Sequence, residues 1–182
     1  MVKLERGAHF CSYALRSQTK MADTIFNSWT KGRLTLAQMV EEIGAYIKAK
    51  RDRSYQIIVG SDSSSTNPVS VVTAVTVWRV GNGGVHFWFD GEKKTFHTLH
   101  DRIYEETIRS VTLAQELKGR LREKLGEDVL WDGKITVHID VGENGPTKEL
   151  IDQVVGMVKG YGFQAVIKPN AFGASVVADK HT

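Results

Sequence analysis

The chain has a single cysteine, Cys11, in 182 residues, so it can form neither an internal disulfide nor a thiolate metal cluster. It has three prolines and no Pro- or Ser-rich linker, repeat or low-complexity tract. No apolar run reaches the length of a membrane span. The first twenty residues lack a signal-peptide core, because Lys3, Glu5, Arg6 and Arg16 interrupt them. These absences lead to the expectation of a cytoplasmic protein. Residues 1–20 read as a loosely ordered extension, with Met21 a second candidate start, and 21–182 as one domain. With 41% hydrophobic and 25% charged residues, the composition is that of a globular protein. The net charge of +3 is compatible with a polyanionic partner but does not demand one.

Apolar periodicity then sets out the elements. Leu36, Met39, Val40, Ile43, Tyr46 and Ile47 form one stripe of a helix over 36–50, and Thr35 with Gln38 supplies its capping box. Tyr55–Gly60 is a short apolar run that reads as a buried strand and ends in the polar loop Ser61–Ser65. Residues 69–80 and 85–89 pair as a hairpin about Gly81-Asn82-Gly83-Gly84. Thr98 caps a long helix to about Gly126, and Lys134–Val141 is a strand. Pro146 suits the first turn of a helix ending near Gly160, and Phe163–Lys168 is a last strand before Pro169. The tail 171–182 is weakly helical. A strand–helix–strand crossover of this length implies parallel strands, whereas the hairpin is antiparallel. A mixed α/β sheet with helices on both faces satisfies both demands.

Two carboxylates stand out. Asp62 follows one apolar strand and Asp140 ends another, Ile135-Thr136-Val137-His138-Ile139-Asp140. A charge at the lip of a buried sheet is costly unless compensated. In neighbouring parallel strands the two would lie roughly 5 Å apart, the ordinary strand spacing. Like charges that close need a cation or a raised pKa, and a divalent ion such as Mg²⁺ meets the need. Either residue alone reads equally well as the cap of an adjoining turn. On the long helix, whose apolar stripe is Leu99, Ile103, Val111, Ala114, Leu117 and Leu121, Glu106 falls at the stripe's edge and Glu105 nearly opposite. Glu106 should therefore face the sheet and Glu105 water. His138 reads as a buried, hydrogen-bonded histidine rather than a ligand, and His97 and His100 as exposed. Gly142–Lys148 lies where phosphates bind, between a strand and a helix, but lacks the spacing of a P-loop. It reads mainly as a turn, with nucleotide-phosphate binding a lesser alternative. Trp78, Phe87, Trp88 and Phe89 crowd the hairpin. If 85–89 is an edge strand, the aromatics outside the core suit a homodimer contact.

This order of elements and acids is similar to that of the ribonuclease H fold. More closely, the chain resembles the YkuK-like family of ribonuclease H-like proteins over about residues 24–182. The resemblance rests on Ile57-Ile58-Val59-Gly60-Ser61-Asp62-Ser63, on Glu106 with Ser110, and on His138-Ile139-Asp140-Val141-Gly142 with Asn144-Gly145. Lys168-Pro169-Asn170-Ala171, Ala174-Ser175 and Ala178-Asp179-Lys180-His181-Thr182 complete it. It implies a five-stranded sheet in the order 3-2-1-4-5, counted from the strand at 55–60, flanked by helices and preceded by an extra N-terminal helix. It also implies a nuclease centre with two Mg²⁺ or Mn²⁺ ions about 4 Å apart, acting on RNA or DNA phosphodiesters. Asp62 and Asp140 would contact the ions most directly, Glu106 and Asp179 would close the sites, and His181 could assist proton transfer. The alternative is a nucleic-acid-binding or scaffold protein that keeps the fold without turnover.

Overall fold

A computed structural model describes residues 21, 23–64, 66–126 and 133–171. The expected extension 1–20 and the tail from 172, with Asp179 and His181, lie outside the described residues. The elements run β1 (Ile25–Ser28), β2 (Gly32–Thr35), α1 (Leu36–Lys48), β3 (Tyr55–Ser63), β4 (Val71–Arg79) and β5 (Gly84–Asp90). They continue with α2 (Leu99–Leu125), β6 (Ile135–His138), a 3₁₀ turn (Lys148–Leu150), α3 (Ile151–Gly160) and β7 (Gln164–Val166). All seven strands join one mixed sheet in the order β2-β1-β5-β4-β3-β6-β7.

The expected five-stranded order is the middle and one flank of this sheet, since β3, β4, β5, β6 and β7 stand as β5-β4-β3-β6-β7. The hairpin β1–β2 extends it, pairing Asn27 of β1 with Trp88 of β5. The strand at 85–89 is therefore not an edge, and the proposed dimer contact through it loses its premise. Trp88 instead packs with Val72 and Ala74, while Trp29, 75% exposed, lies against it with ring centroids 5.4 Å apart. Among the described residues, α1, α2 and α3 share one core with Ile57, Val59, Val75, Val77, Phe87 and Val137. These are alternate positions along their strands, so all three helices lie on one face.

Local chemistry explains the boundaries. Thr35 Oγ1 accepts from Gln38 N while Gln38 Oε1 accepts from Thr35 N, so the final residue of β2 is also the cap of α1. Thr98 Oγ1 accepts from Asp101 N at 3.0 Å, and α2 ends at Gly126 with φ 84°, a conformation costly for other residues. The last helix begins later than Pro146 suggests. Thr147 Oγ1 accepts from Gly142 N at 3.3 Å, which ties it back to the preceding loop, and a 3₁₀ turn intervenes before α3. Among the described residues no helix is long and apolar enough to cross a membrane.

Leu117 of α2 is fully buried in the helix-side core. Leu117→Ala should lower the unfolding free energy by about 2–5 kcal/mol. Thr35→Ala should cost only about 1 kcal/mol, the typical value of a lost cap. Urea titrations of the two variants beside the parent check both magnitudes.

Candidate carboxylate site

The site is built at the end of β3, where three consecutive polar residues divide between the two faces of the sheet. Ser61 and Ser63 point to α2. Ser61 Oγ lies 2.9 Å from both Thr73 Oγ1 and Ser110 Oγ, and Ser110 donates to the Glu106 carbonyl at 2.9 Å. With its only proton so used, Ser110 accepts from Ser61, and Ser61 accepts from Thr73. This buried chain fastens the middle of α2 to β3. One residue pair further along, Ser63 Oγ donates to Glu106 Oε1 at 2.6 Å. Asp62, between the serines, pairs across to Val72, whose side chain packs with Ala74 and Trp88 on the opposite face. Its Oδ1 accepts from Ser63 N at 2.8 Å.

Asp140 arrives on that same opposite face. β3 and β6 are parallel, with Ile57 opposite Ile135 and Gly60 opposite His138. The pairing ends two residues short of Asp62 and Asp140, which therefore stand at the same end of the sheet. β6 ends at His138 and the chain bends at Asp140, although Ile139 N still donates to Val166 O and Lys168 N donates to Val141 O, with Ile139 and Val141 buried on the helix side. Asp140 between them therefore shares a face with Asp62. In β7's direction its neighbour is Lys168, whose Nζ lies 2.6 Å from Asp140 Oδ1. The contact is close but poorly aligned for a hydrogen bond.

Glu106 is the buried acid, 4% exposed. Burial pushes its carboxyl up to about 8, with the charges of Asp62 and Asp140 adding to the rise, while the Ser63 hydrogen bond and Arg102 oppose it. Arg102 Nη1 donates to Ser64 O at 3.2 Å, and its Nε stands 4.0 Å from Glu106 Oε1. The helical phase thus places Glu106 against the sheet as expected. Glu105 does not face open water. It is partly buried and paired with Lys94 at 2.7 Å and Arg109 at 2.8 Å, which hold its carboxyl below the usual range against the opposing effect of burial. His138 is buried, and desolvation lowers it to about 4, so it is neutral at pH 7. His97 and His100 are exposed, and His100 stacks on Tyr104 with centroids 4.4 Å apart.

A family model described as ribonuclease H-like matches residues 38–182. The chain belongs to the ribonuclease H-like family. It is also 28% identical over 174 residues to "Uncharacterized protein YkuK" of Bacillus subtilis (strain 168), a match spanning 89% of this chain and 99% of that protein. No solved structure matches. Within this ribonuclease H-like chain, the structure brings Asp62 and Asp140 to one lip, with Glu106 approaching from the other side of β3.

Among the described residues, no group of three His, Cys, Asp or Glu side chains is gathered closely enough to hold a metal. The reason is local: Ser63 holds Glu106 on the helix side, and Lys168 pairs with Asp140. The donor chemistry still suits a hard divalent ion, since two carboxylates stand at the same end of the parallel β3–β6 pair. Ser63, Arg102 and Lys168 were not legible as site residues. Lys168 stands in one of the family-like segments, but only the folded chain gives it a partner.

Glu106 carries a testable pH signature. Its folded value, about 8, exceeds the ordinary glutamate value of 4.5, so the folded state holds a proton that the unfolded state releases between those limits. Stability should fall as pH rises through this window and level off above it. His138 acts oppositely, costing stability as pH falls from 6.5 toward 4. In chelator-treated protein, the parent should lose stability from pH 6.5 to 8 while Glu106→Gln stays nearly flat. Parallel slopes in urea unfolding would contradict the assignment.

Proposed function

We propose that the chain is a divalent-metal-dependent nuclease that hydrolyses phosphodiester bonds of RNA or DNA. The observation that carries this reading is the placement of Asp62 and Asp140 at the same end of the parallel β3–β6 pair, in a ribonuclease H-like chain. Asp62, Asp140 and Glu106 would hold Mg²⁺ or Mn²⁺, with Asp179 as the fourth acid. Two such ions, when bound, supply a activated water and stabilise the leaving oxygen. The chain's own part is to aim and charge these acids. The Thr73–Ser61–Ser110 chain fixes α2 against β3, and so sets how far Glu106 stands from Asp62. Ser63 orients the Glu106 carboxyl. His181 is assigned proton transfer on the same reading, and the cytoplasm is its place of action.

A second reading, a nucleic-acid-binding or scaffold protein without turnover, draws on the internal partners of Glu106 and Asp140. Cleavage assays separate the two. Single-stranded, duplex and hybrid oligonucleotides should be cut in Mg²⁺ or Mn²⁺ by the parent. Asp62→Asn and Asp140→Asn should each reduce cutting by at least about 100-fold, the scale of losing a catalytic metal ligand, with the circular dichroism spectrum unchanged. Both variants cutting like the parent would refute the mechanism. Salt-sensitive binding that survives both substitutions, with no cutting by any form, would favour the second reading.

A further inference from the structure

We propose that the cavity between residues 66–69, residues 94–97 and the first turn of α2 is a subsite for one unpaired nucleobase of a single-stranded nucleic acid. The inference rests on the nucleic-acid reading above and names the form of strand that the site takes.

The walls of this cavity are held in place by the chain itself. Val69 and Lys94 form an isolated bridge in which each N–H donates to the other's carbonyl at 2.9 Å. Two residues further out on both segments, the Asn67 amide donates to Phe96 O at 2.7 Å and accepts from Phe96 N at 3.1 Å, as a strand partner would. Thr98 then caps α2, whose first turn closes the third side. The space enclosed is about 220 Å³, with Val69, Phe96, Leu99, Thr66, His97 and Arg102 in its lining.

Size and lining narrow the occupant. At roughly 30 Å³ per water the cavity holds about seven waters. That falls short of the ~300–1,000 Å³ of pockets that enclose a whole drug-sized ligand. One flat ring system fits and a base pair does not, so a base has to be unpaired to enter. Val69, Phe96 and Leu99 give the lining an apolar share against which a phosphate would lose water without return. A base gains there, because every base has a π-face to set against an aromatic side chain. Asn67 and Thr98 are spent on the walls, so selection among the four bases should be weak.

Arg102 joins the cavity to the acids. It lines the cavity, its Nη1 donates to Ser64 O at 3.2 Å, and its Nε stands 4.0 Å from Glu106 Oε1. It precedes Glu106 by one helical turn, so the cavity opens beside the carboxylate site. The buried Nε makes no hydrogen bond, which leaves a donor for a backbone oxygen of the strand. A strand with one phosphate at the acids can therefore seat a neighbouring base in the cavity.

The test is fluorescence anisotropy in chelator, at one salt concentration, with a short single strand and an abasic strand of the same length and charge. The parent should bind the intact strand about five- to a hundredfold more tightly than the abasic one, the scale of one stacked base. Thr66 and His97 are exposed at the cavity, so Thr66→Trp fills it at little risk to the fold, and His97→Trp is the second blocking variant. Each should bring the preference for the intact strand close to one while leaving affinity for the abasic strand unchanged. Equal binding of the two strands by the parent, or an undiminished preference in both variants, would overturn the subsite. Cleavage in Mg²⁺ or Mn²⁺ is measured separately, so the metal-dependent reading survives that result. Absence of binding to either strand, in chelator and in Mg²⁺ alike, would overturn both.

Discussion

The parallel pairing of β3 with β6 is the constraint on which the rest of the molecule depends. It joins the antiparallel half of the sheet, built by hairpins, to the half that ends in β7. Its register decides what stands at the lip: with Gly60 opposite His138, Asp62 and Asp140 both follow at the same end of the sheet. A slip of one residue would turn the β6 side chains to the other face and bury Asp140 among α2 and α3. Ile135, Val137, Ile139 and Val141, all in the helix-side core, forbid that slip. Hydrophobic burial on one face thus sets electrostatics on the other.

The consequence is a row of charges that the protein has to compensate. Asp140 is answered by Lys168, and Glu106 by burial as a high-pKa carboxyl bonded to Ser63. Each answer serves an acid that the proposed reaction would recruit. Stability and function therefore draw on the same groups, and a divalent ion would compete with partners already present. This also explains how carboxylates can share one end of a sheet without forming a ready three-ligand cluster.

Elements with strong local signals were legible from residues alone. The capping residues Thr35 and Thr98, the glycine turn at 81–84 and the apolar run at 55–60 mark α1, α2, the β4–β5 hairpin and β3 directly. The β1–β2 hairpin was not. Each strand has four residues, and Trp29-Thr30-Lys31-Gly32 offers one glycine, so pairing with β5 decides what local pattern does not. Helical phase separated Glu106 from Glu105 correctly in direction, but it could not foresee that Lys94, from beyond β5, closes over Glu105. Lys168 shows the same limit. A lysine before a proline has no special meaning until the turn after β7 brings its ammonium to Asp140.

The account turns on Asp62 and Asp140 acting as one carboxylate pair. The most direct measurement is a crystal structure of the protein soaked in Mn²⁺, read from the anomalous signal of the metal. The account predicts a peak bridging the two carboxylates. Carboxylates separated beyond bridging distance, with no peak between them, would contradict it.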